Sequence, residues 1–418
     1  MDPYAMTTGV LRSPDFLRFL SSHVANEIGT NISRVALPLV AVLILNAGAF
    51  EVGLLSALQS AAFLMIGLPA GVWVDRMRRR RVMVTADLVR GALLASVPIA
   101  HVLGLLSIGM LLAVALLAGV AQVFNDVADQ TYLPELVGKE QLSSGNSKLE
   151  FVRSGGALAG PSLGGALAQV LGAPLAVLAT ALTSLASALA LRSIRSRDRP
   201  PAAPRERAGM GRDIREGFAF VWQDRVLRPI MVTTMGTNLC LSAVISLSVL
   251  FLADVVRLPP GLIGVLLMSG AVGGLLGGLT GAWLFRRYGT ARVTWLSLAV
   301  TSPFGLLLPM TQADWRVSFF ALTSIALSWG AILYNVGQVT YRQSVAPDGM
   351  LGRVNATVRF VVWSTMPLGA LLGGIVAQQI GVREALWVFL GGRVLSFVPL
   401  LFSPLVRLRD FSQVRTRP

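Results

Sequence analysis

The sequence has few of the side chains from which disulfides and metal centres are built. Of its 418 residues, only Cys240 is a cysteine, and only His23 and His101 are histidines. A single cysteine excludes an internal disulfide, and with two histidines it leaves too few ligands for most metal sites. We therefore expect no metal and no cofactor. The pattern Gly-x-x-x-x-Gly-Lys-Ser/Thr is also missing, which excludes an ATP-driven pump unless a partner supplies the ATPase.

Charged side chains are also scarce, and long apolar stretches take their place. Charged residues make up 14% of the chain and hydrophobic residues 54%, whereas soluble domains carry about 25% charge. The mean hydropathy is +0.67. Apolar stretches of about 20 residues, long enough to cross a ~30 Å hydrocarbon core, recur along the chain. We therefore expect an all-α polytopic membrane protein in a lipid bilayer. Because Glu27 and Arg34 interrupt the first stretch, we expect no cleavable signal peptide.

The formal net charge of +15 could indicate nucleic-acid binding, but the basic residues cluster in short connections between the apolar stretches. Anionic lipid headgroups and membrane topology explain that placement better, so we expect no nucleic-acid partner. Connections rich in arginine alternate with connections that have almost none, and twelve spans with both termini cytoplasmic preserve this alternation. The predicted spans are Phe16–Leu45, Val52–Trp73, Val82–Leu103, Ile108–Val127, Leu149–Leu171, a sixth ending near Leu191, Ile230–Asp254, Leu262–Leu284, Ala291–Met310, Ser318–Gly337, Val354–Ile380 and Leu386–Val406.

The spans fall into two groups of six. We expect a first bundle over residues 1–191, a cytoplasmic linker over 192–228 and a second bundle over 229–418. Within the linker, Asp213–Asp224 has apolar residues at helical spacing and is predicted to lie as a helix on the membrane surface. Asp129–Lys148 is predicted to be a cytoplasmic connection. The two halves match without a gap at an offset of 209 residues, for example Thr131-Tyr132 with Thr340-Tyr341, Phe151-Val152 with Phe360-Val361, and Leu163-Gly164-Gly165 with Leu372-Gly373-Gly374.

The most distinctive connection follows the second span and contains five arginines in six positions. Each charge would cost roughly 2.5–3.5 kcal/mol in hydrocarbon, so this run must be a loop, and its positive charge predicts the cytoplasmic side. The run resembles the signature loop of the major facilitator superfamily, Gly-x-x-x-Asp-Arg-x-Gly-Arg-Arg. The residues on the pattern are Gly71, Asp75, Arg76, Arg79 and Arg80, and Arg78 stands where the family usually has glycine.

This resemblance implies two pseudo-symmetric six-helix bundles with a substrate site between them near the bilayer midplane. It also implies that Asp75 and the following arginines form a gating loop whose pairing differs between outward- and inward-open states. Gly71 is expected to let a neighbouring helix approach closely. Related facilitators place an acid at the inner end of the fourth span that meets these arginines, and here Asp126 is the candidate, with Asp129 as the alternative.

The fifth span resembles the antiporter motif of drug-exporting facilitators, with Gly156, Gly160, Pro161, Gly164 and Gly165 at the motif's spacing. Ordinary helix packing is the alternative explanation for these glycines. The eleventh span keeps the corresponding glycines but has Ala370 in place of the proline. This asymmetry favours export over import.

The first span carries a polar stripe, His23, Glu27, Asn31 and Arg34, on one helical face. Such a stripe should face a cavity, although a structural polar network is the alternative. We take Glu27, Arg34 and Asp126 as candidates for proton coupling, because a desolvated carboxylate suits reversible proton binding. Glu27 and Arg34 lie about 10 Å apart along the helix, too far for a direct pair. The candidate substrate-cavity residues are His23, Asn31, Thr234, Asn238 and Ser242.

Two further charged residues, Asp87 and Arg90 in the third span, could join the network of Asp126 and the arginine loop. Glu27 is predicted to be the only acid well inside a span of the first half.

Across the whole chain, and most clearly in Phe124-Asn-Asp-Val-Ala-Asp-Gln-Thr-Tyr-Leu-Pro-Glu-Leu-Val, the sequence resembles the bacterial branch of enterobactin exporters and macrolide-efflux proteins. The resemblance implies a proton-driven antiporter, not an enzyme, that exports a small molecule of medium size such as a drug, siderophore or secondary metabolite. A proton-coupled importer and a non-transporting membrane sensor or enzyme are the alternatives. We expect a multi-pass monomer in a bacterial plasma (inner) membrane.

Overall fold

A computed structural model of the chain describes residues 13–137, 141–195, 210–345 and 351–411. Its helices, in chain order, are α1 (Pro14–Leu43), α2 (Ala49–Asp75), α3 (Arg79–Val102), α4 (Ile108–Val137), α5 (Leu142–Leu171), α6 (Ala173–Arg192), α7 (Met210–Gln223), α8 (Leu227–Leu250), α9 (Pro260–Tyr288), α10 (Thr290–Thr301), α11 (Ser318–Val345), α12 (Leu351–Ile380), α13 (Val382–Leu395) and α14 (Val398–Leu401). This all-α arrangement confirms the predicted fold class.

Ten of the described helices are long and apolar enough to cross a membrane. Two further long helices, α1 and α5, do not meet this criterion: Glu27 and Arg34 interrupt the apolar run of α1, and the run of α5 after Arg153 is rich in glycine. The predicted count of twelve spans and the cytoplasmic termini remain predictions. The helix predicted over Asp213–Asp224 is confirmed as α7, Met210–Gln223; its place on the membrane surface remains a prediction.

Local sequence explains where several helices begin and end. Ser13 caps α1 by accepting a hydrogen bond from the Phe16 N–H, which satisfies one of the unpaired donors of the first turn. Gly172 and Gly381, which match at the repeat offset, separate α5 from α6 and α12 from α13 with φ of 89° and 100°. Only glycine adopts such angles readily, so each position marks a fixed corner.

Two predicted boundaries are wrong. Asp129–Lys148 was expected to be a connection, but α4 continues to Val137 and α5 already begins at Leu142. Apolar residues keep the helical spacing beyond the membrane stretch, and Tyr132 packs into a buried cluster with Phe19 of α1. This packing stabilises the extra turns that a search for an apolar span cannot detect.

Proline changes the ends of two predicted spans in the second half. The span predicted over Ala291–Met310 is α-helical only to Thr301 and continues as a 3₁₀ helix over Ser302–Met310. The last span breaks after Leu395 into α14 and a short 3₁₀ turn. Proline lacks the N–H that would continue the α-helical ladder, which accounts for both interruptions.

The chain divides into two compact units. The first contains α1, most of α2, and α3 to α6, together with the start of α9; the second contains α7, α8, most of α9, and α10 to α14, together with Val52–Ala57 of α2. In the first unit, α1 packs against both α5 and α6. In the second, α8 packs against α12 and α13. In each unit, therefore, one helix (α1 or α8) packs against two consecutive later helices of the same unit.

Candidate proton and substrate site

The polar stripe of α1 lies against α4 and α5 inside the first unit. His23 is 7% exposed and lies between two carboxylates: its Nδ1 is 3.6 Å from Asp129 Oδ1 and its Nε2 is 3.8 Å from Glu27 Oε1. Glu27 Oε1 is also 3.6 Å from Arg153 Nε of α5. His23 Nε2 has no hydrogen-bond partner within the described residues. We call Glu27, His23, Asp129 and Arg153 the carboxylate cluster.

The remaining stripe residues extend from this cluster along α1. Asn31 donates from Nδ2 to the backbone oxygen of Glu27 at 2.9 Å, and Arg34 donates to Asn31 Oδ1 at 3.3 Å. Glu27 and Arg34 are therefore not paired directly, as predicted from their spacing. The side chain of Glu27 turns instead towards His23 and Arg153, so its nearest cation belongs to another helix.

The glycines of α5 form the surface that receives this stripe. A Cβ at Gly156 would lie 3.0 Å from Glu27 Cβ, a Cβ at Gly160 would overlap Asn31 Cβ, and a Cβ at Gly164 would lie 3.1 Å from the Ile32 oxygen. Three small residues spaced by four thus let α1 and α5 approach closely where α1 is polar. Gly165 faces elsewhere, towards the backbone of Gly264. These contacts account for the glycines as packing residues, and the antiporter role implied by the resemblance remains a prediction.

A second polar network is fully buried beside the first. Asp87 of α3, only 1% exposed, accepts hydrogen bonds from Asn125 Nδ2 at 2.7 Å and Ser187 Oγ at 2.5 Å. Arg90 donates to Asn26 Oδ1 at 2.7 Å and Thr30 Oγ1 at 2.9 Å. Asn26 in turn lies 3.4 Å from Asn125, which links the two charged side chains through two amides.

This buried network corrects two predictions. Asp87 lies deep within the first unit, so Glu27 is not its only acid well inside a helix. Asp87 and Arg90 bond to α1, α4 and α6 rather than to the arginine loop. Because the network satisfies both charges with amide and hydroxyl partners, it has the character of a structural element.

Asp126 does not meet the loop's arginines, contrary to the prediction. Its carboxylate accepts a hydrogen bond from Gln122 Nε2 at 2.7 Å, one turn earlier on α4. Within the described residues, Glu135, near the end of α4, contacts Arg79 of the loop. The extension of α4 beyond its predicted end explains the difference, because it carries Glu135 to the start of α3. The alternative, Asp129, belongs to the carboxylate cluster.

The arginine loop is anchored at several helix ends of the first unit. Arg79 also donates to the backbone oxygen of Thr131, and Arg80 donates to that of Ile194, just beyond α6. Arg76 follows the last residue of α2 as its C-cap and is exposed. Arg78 has φ −72° and ψ 112°, an extended conformation that needs no glycine.

Gly71 and Asp75 lie in the last two turns of α2. A Cβ at Gly71 would meet nothing within 4 Å, so the prediction that this glycine allows a close helix approach is wrong. The residue lies on the open side of α2, where any small side chain fits. Asp75 is the last residue of α2, but its side chain lies outside the part of the chain that the structure describes.

The candidate residues of α8 serve helix packing in the second unit. The hydroxyl of Thr234 is 2.7 Å from Tyr334 Oη of α11, and Ser242 donates to the Met366 oxygen of α12 at 2.6 Å. Both are buried, whereas Asn238 is half-buried and donates to the Thr234 oxygen. Thr234 and Ser242 therefore join helices, and Asn238 keeps more exposed surface.

Sequence reasoning missed Asn26, Arg153 and Glu135. Asn26 and Thr30 are spaced by four, which places them on one face of α1 adjacent to the charged stripe. Arg153 precedes Gly156 by one helical turn, and this spacing alone puts it on the side of α5 that faces α1. Glu135 was missed because α4 was predicted to end before it. A correct prediction of the end of α4 would have identified it.

Comparison with known proteins agrees with this architecture. Residues 19–366 match the Major Facilitator Superfamily. The chain is 28% identical over 419 residues to the multidrug efflux pump Tap of Mycolicibacterium fortuitum, covering 97% of this chain and 99% of that protein. It is 26% identical to the enterobactin exporter EntS of Escherichia coli, covering 96% and 94% respectively. These relatives confirm the predicted resemblance to bacterial exporters.

The fold is also similar to solved structures. A bacterial homologue of the iron transporter ferroportin superimposes with a TM-score of 0.76 at 19% identity, covering 94% of this chain and 99% of that one. At this identity the similarity shows the fold alone. Because the family match spans most of the chain, this protein is a multi-pass membrane transport protein of the Major Facilitator Superfamily.

Proposed function

We propose that this protein is a proton-driven exporter of medium-sized, partly apolar small molecules, located in a bacterial plasma membrane. The observation that carries the proposal is the carboxylate cluster, in which Glu27 and Asp129 flank His23 within 4 Å. An exchanger needs groups that bind and release protons where its helices meet, and this cluster has three adjoining ones.

The cluster can couple proton binding to helix contacts. When Glu27 is ionised, its charge attracts Arg153 across the contact between α1 and α5. Protonation of Glu27 removes that attraction. The neighbouring His23 can donate this proton to Glu27 and accept it back. Because the same helix face contains Asn31 and Arg34, a substrate bound there would favour a different charge state from the empty site.

Export rather than import is favoured by two observations. The relatives that match nearly the whole chain bear the names of an efflux pump and an exporter. In addition, α5 keeps the glycine-proline arrangement of drug exporters, with Pro161 inside the helix beside the close contacts of Gly160 and Gly164. Drugs and siderophores are accordingly the substrate classes we expect.

The proposal is tested by transport in two formats. In a bacterial strain lacking its other efflux pumps, expression of this protein should lower accumulation of a panel of drugs and of a catecholate siderophore. In proteoliposomes, an imposed pH gradient should drive the same compound against its concentration gradient, and collapse of the pH gradient should stop it.

The alternatives give different results. Proton-coupled import would raise accumulation in cells and reverse the direction in counterflow. A protein that senses without transporting would leave accumulation unchanged in both formats. Uphill transport that persists after the pH gradient has collapsed would contradict proton coupling.

A further inference from the structure

The second unit has a groove where α7 meets the start of α8. Its volume is about 600 Å³ and its lining residues are Trp222, Arg225, Arg228, Pro229, Val232, Pro399, Phe402 and Pro404. The groove therefore lies at the ends of two helices, α8 and α14, that belong to segments long and apolar enough to span a membrane. Arginine-rich connections predict that this side faces the cytoplasm.

The groove is positively charged. Arg225 and Arg228 are both exposed, and neither guanidinium has a hydrogen bond or ion pair within the described ranges of the chain. The adjacent acid pairs with neither guanidinium within the described residues: Asp224 Oδ1 accepts from the N–H groups of Val226 and Leu227 at 2.8 and 2.7 Å, at the start of α8. Two guanidinium groups are thus available to an anion from outside.

Exposed aromatic side chains flank this charge. Phe402 is 86% exposed and Trp222 is 45% exposed. Phe218 stacks on Trp222 with ring centroids 5.4 Å apart, while the neighbouring Val221 is buried in the core of the second unit. Exposed aromatic rings on a helix, followed directly by exposed arginines, are typical of the interface between headgroups and acyl chains.

We propose that this groove binds an anionic phospholipid, with Arg225 and Arg228 donating hydrogen bonds to the headgroup phosphate. Trp222 and Phe402 contact the first part of the acyl chains. The aromatic residues decide between a lipid and a free phosphate, because an inorganic anion would leave their apolar surface in water. The proposal is independent of what the protein transports and of its proton coupling.

The test is lipid binding to the full-length protein, delipidated in detergent and titrated with phosphatidylglycerol while bound lipids are counted by native mass spectrometry. We expect one binding event tighter than the rest. Since each arginine near an anionic surface is worth about 1 kcal/mol, Arg225→Ala with Arg228→Ala should weaken that event by about 30-fold. The matched control is Arg286→Ala with Arg287→Ala, an exposed pair at the end of α9 that removes the same charge.

Three further readouts make the outcome decisive. Phe402→Ala, at a residue too exposed to affect folding, should weaken phosphatidylglycerol but not water-soluble glycerophosphate. Phosphatidylcholine should bind equally to all variants, and their thermal midpoints without lipid should agree. Equal loss in the control pair, an unchanged tight event in the Arg225/Arg228 variant, or competition by millimolar inorganic phosphate would each overturn the proposal.

Discussion

Asp87 and Arg90 lie one helical turn apart on α3, yet they are connected through Asn125 and Asn26 rather than to each other. Each charge has neutral hydrogen-bond partners, and the two amides carry the link between helices α3, α4 and α1. A buried charge satisfied in this way depends on every member of the chain. The losses in free energy of unfolding on replacing Asp87 and Arg90 should therefore not be additive.

Replacing both charges of this network should cost less stability than the sum of the two single replacements. We expect Asp87→Leu and Arg90→Met each to lower the free energy of unfolding by about 3 kcal/mol, because each leaves the other charge buried without its counterpart. The double variant should lose clearly less than the sum. Reversible unfolding in mixed micelles measures the coupling energy, and additive losses would show that the two charges are independent.

Ser187→Ala is the matched control for hydrogen bonding without charge. It removes one donor to Asp87 and should cost only about 1 kcal/mol. A loss as large as that of Asp87→Leu would mean that the hydroxyl, not the charge balance, dominates the stability of this network.

Glu27→Gln should abolish uphill export while leaving downhill exchange measurable. The amide mimics the protonated carboxyl group and removes the charge that attracts Arg153. The measurement is proteoliposome transport with and without an imposed pH gradient. Glu150→Gln is a sharp control, because Glu150 also contacts Arg153 at 3.4 Å but is 66% exposed.

The control variant should concentrate substrate at the wild-type level. If Glu27→Gln does so as well, the proton site lies elsewhere in the first unit. Asp129 is then the next residue to test, since it lies on the other side of His23.

Gly160→Ala should damage the contact between α1 and α5. The added methyl group would overlap Asn31 Cβ, and overpacking of this kind typically costs about 1–3 kcal/mol. Gly155→Ala is the control on the same helix, because a Cβ there meets nothing within 4 Å. Thermal unfolding in detergent should show a lower midpoint for Gly160→Ala alone. Equal midpoints for both variants would contradict the packing.

Arg79→Gln should reduce transport without preventing membrane insertion. Arg79 joins the start of α3 to Glu135 near the end of α4, and losing a charged hydrogen bond of about 1.5–3 kcal/mol corresponds to roughly tenfold or more. Arg81→Gln, at an exposed member of the same run, is the control. A normal rate for Arg79→Gln, at normal protein levels in the membrane, would show that this anchor does not matter for transport.

The loop's acid gives a companion prediction. Asp75→Asn should leave insertion intact and strongly reduce transport if Asp75 takes part in gating. Normal transport by a normally inserted Asp75→Asn protein would contradict that role, independently of the Arg79 result.

The sequence was sufficient to locate most of the helices, though not all of their ends, because apolar length depends on the bilayer rather than on tertiary detail. It also placed His23, Glu27, Asn31 and Arg34 on one face, since helical spacing alone sets that relationship. The partners of this face could not be predicted. Arg153 and Asp129 reach it only because α4 and α5 pack against α1 at a particular depth and rotation.

The error at Asp126 comes from a helix end. Asp126 was assigned from a motif that describes helix ends, and in this chain α4 extends nearly three turns further than its apolar stretch. The extra turns present Glu135 to the arginines in place of Asp126. A packing contact between Phe19 and Tyr132, remote in sequence, stabilises those turns, and hydropathy contains no information about it.

The composition of α1 and α5 also bears on how the protein is made. These two helices are less apolar than the ten candidate spans, so lipid alone holds them poorly during synthesis. Each ionised residue at mid-helix, such as Glu27 in α1, raises the cost of membrane insertion by roughly 2.5–3.5 kcal/mol. Because α1 is synthesised before α5, it acquires its full stability only after α5 and its glycine face have been synthesised. Biogenesis of the first half thus ends with the pair of helices on which its polar chemistry depends.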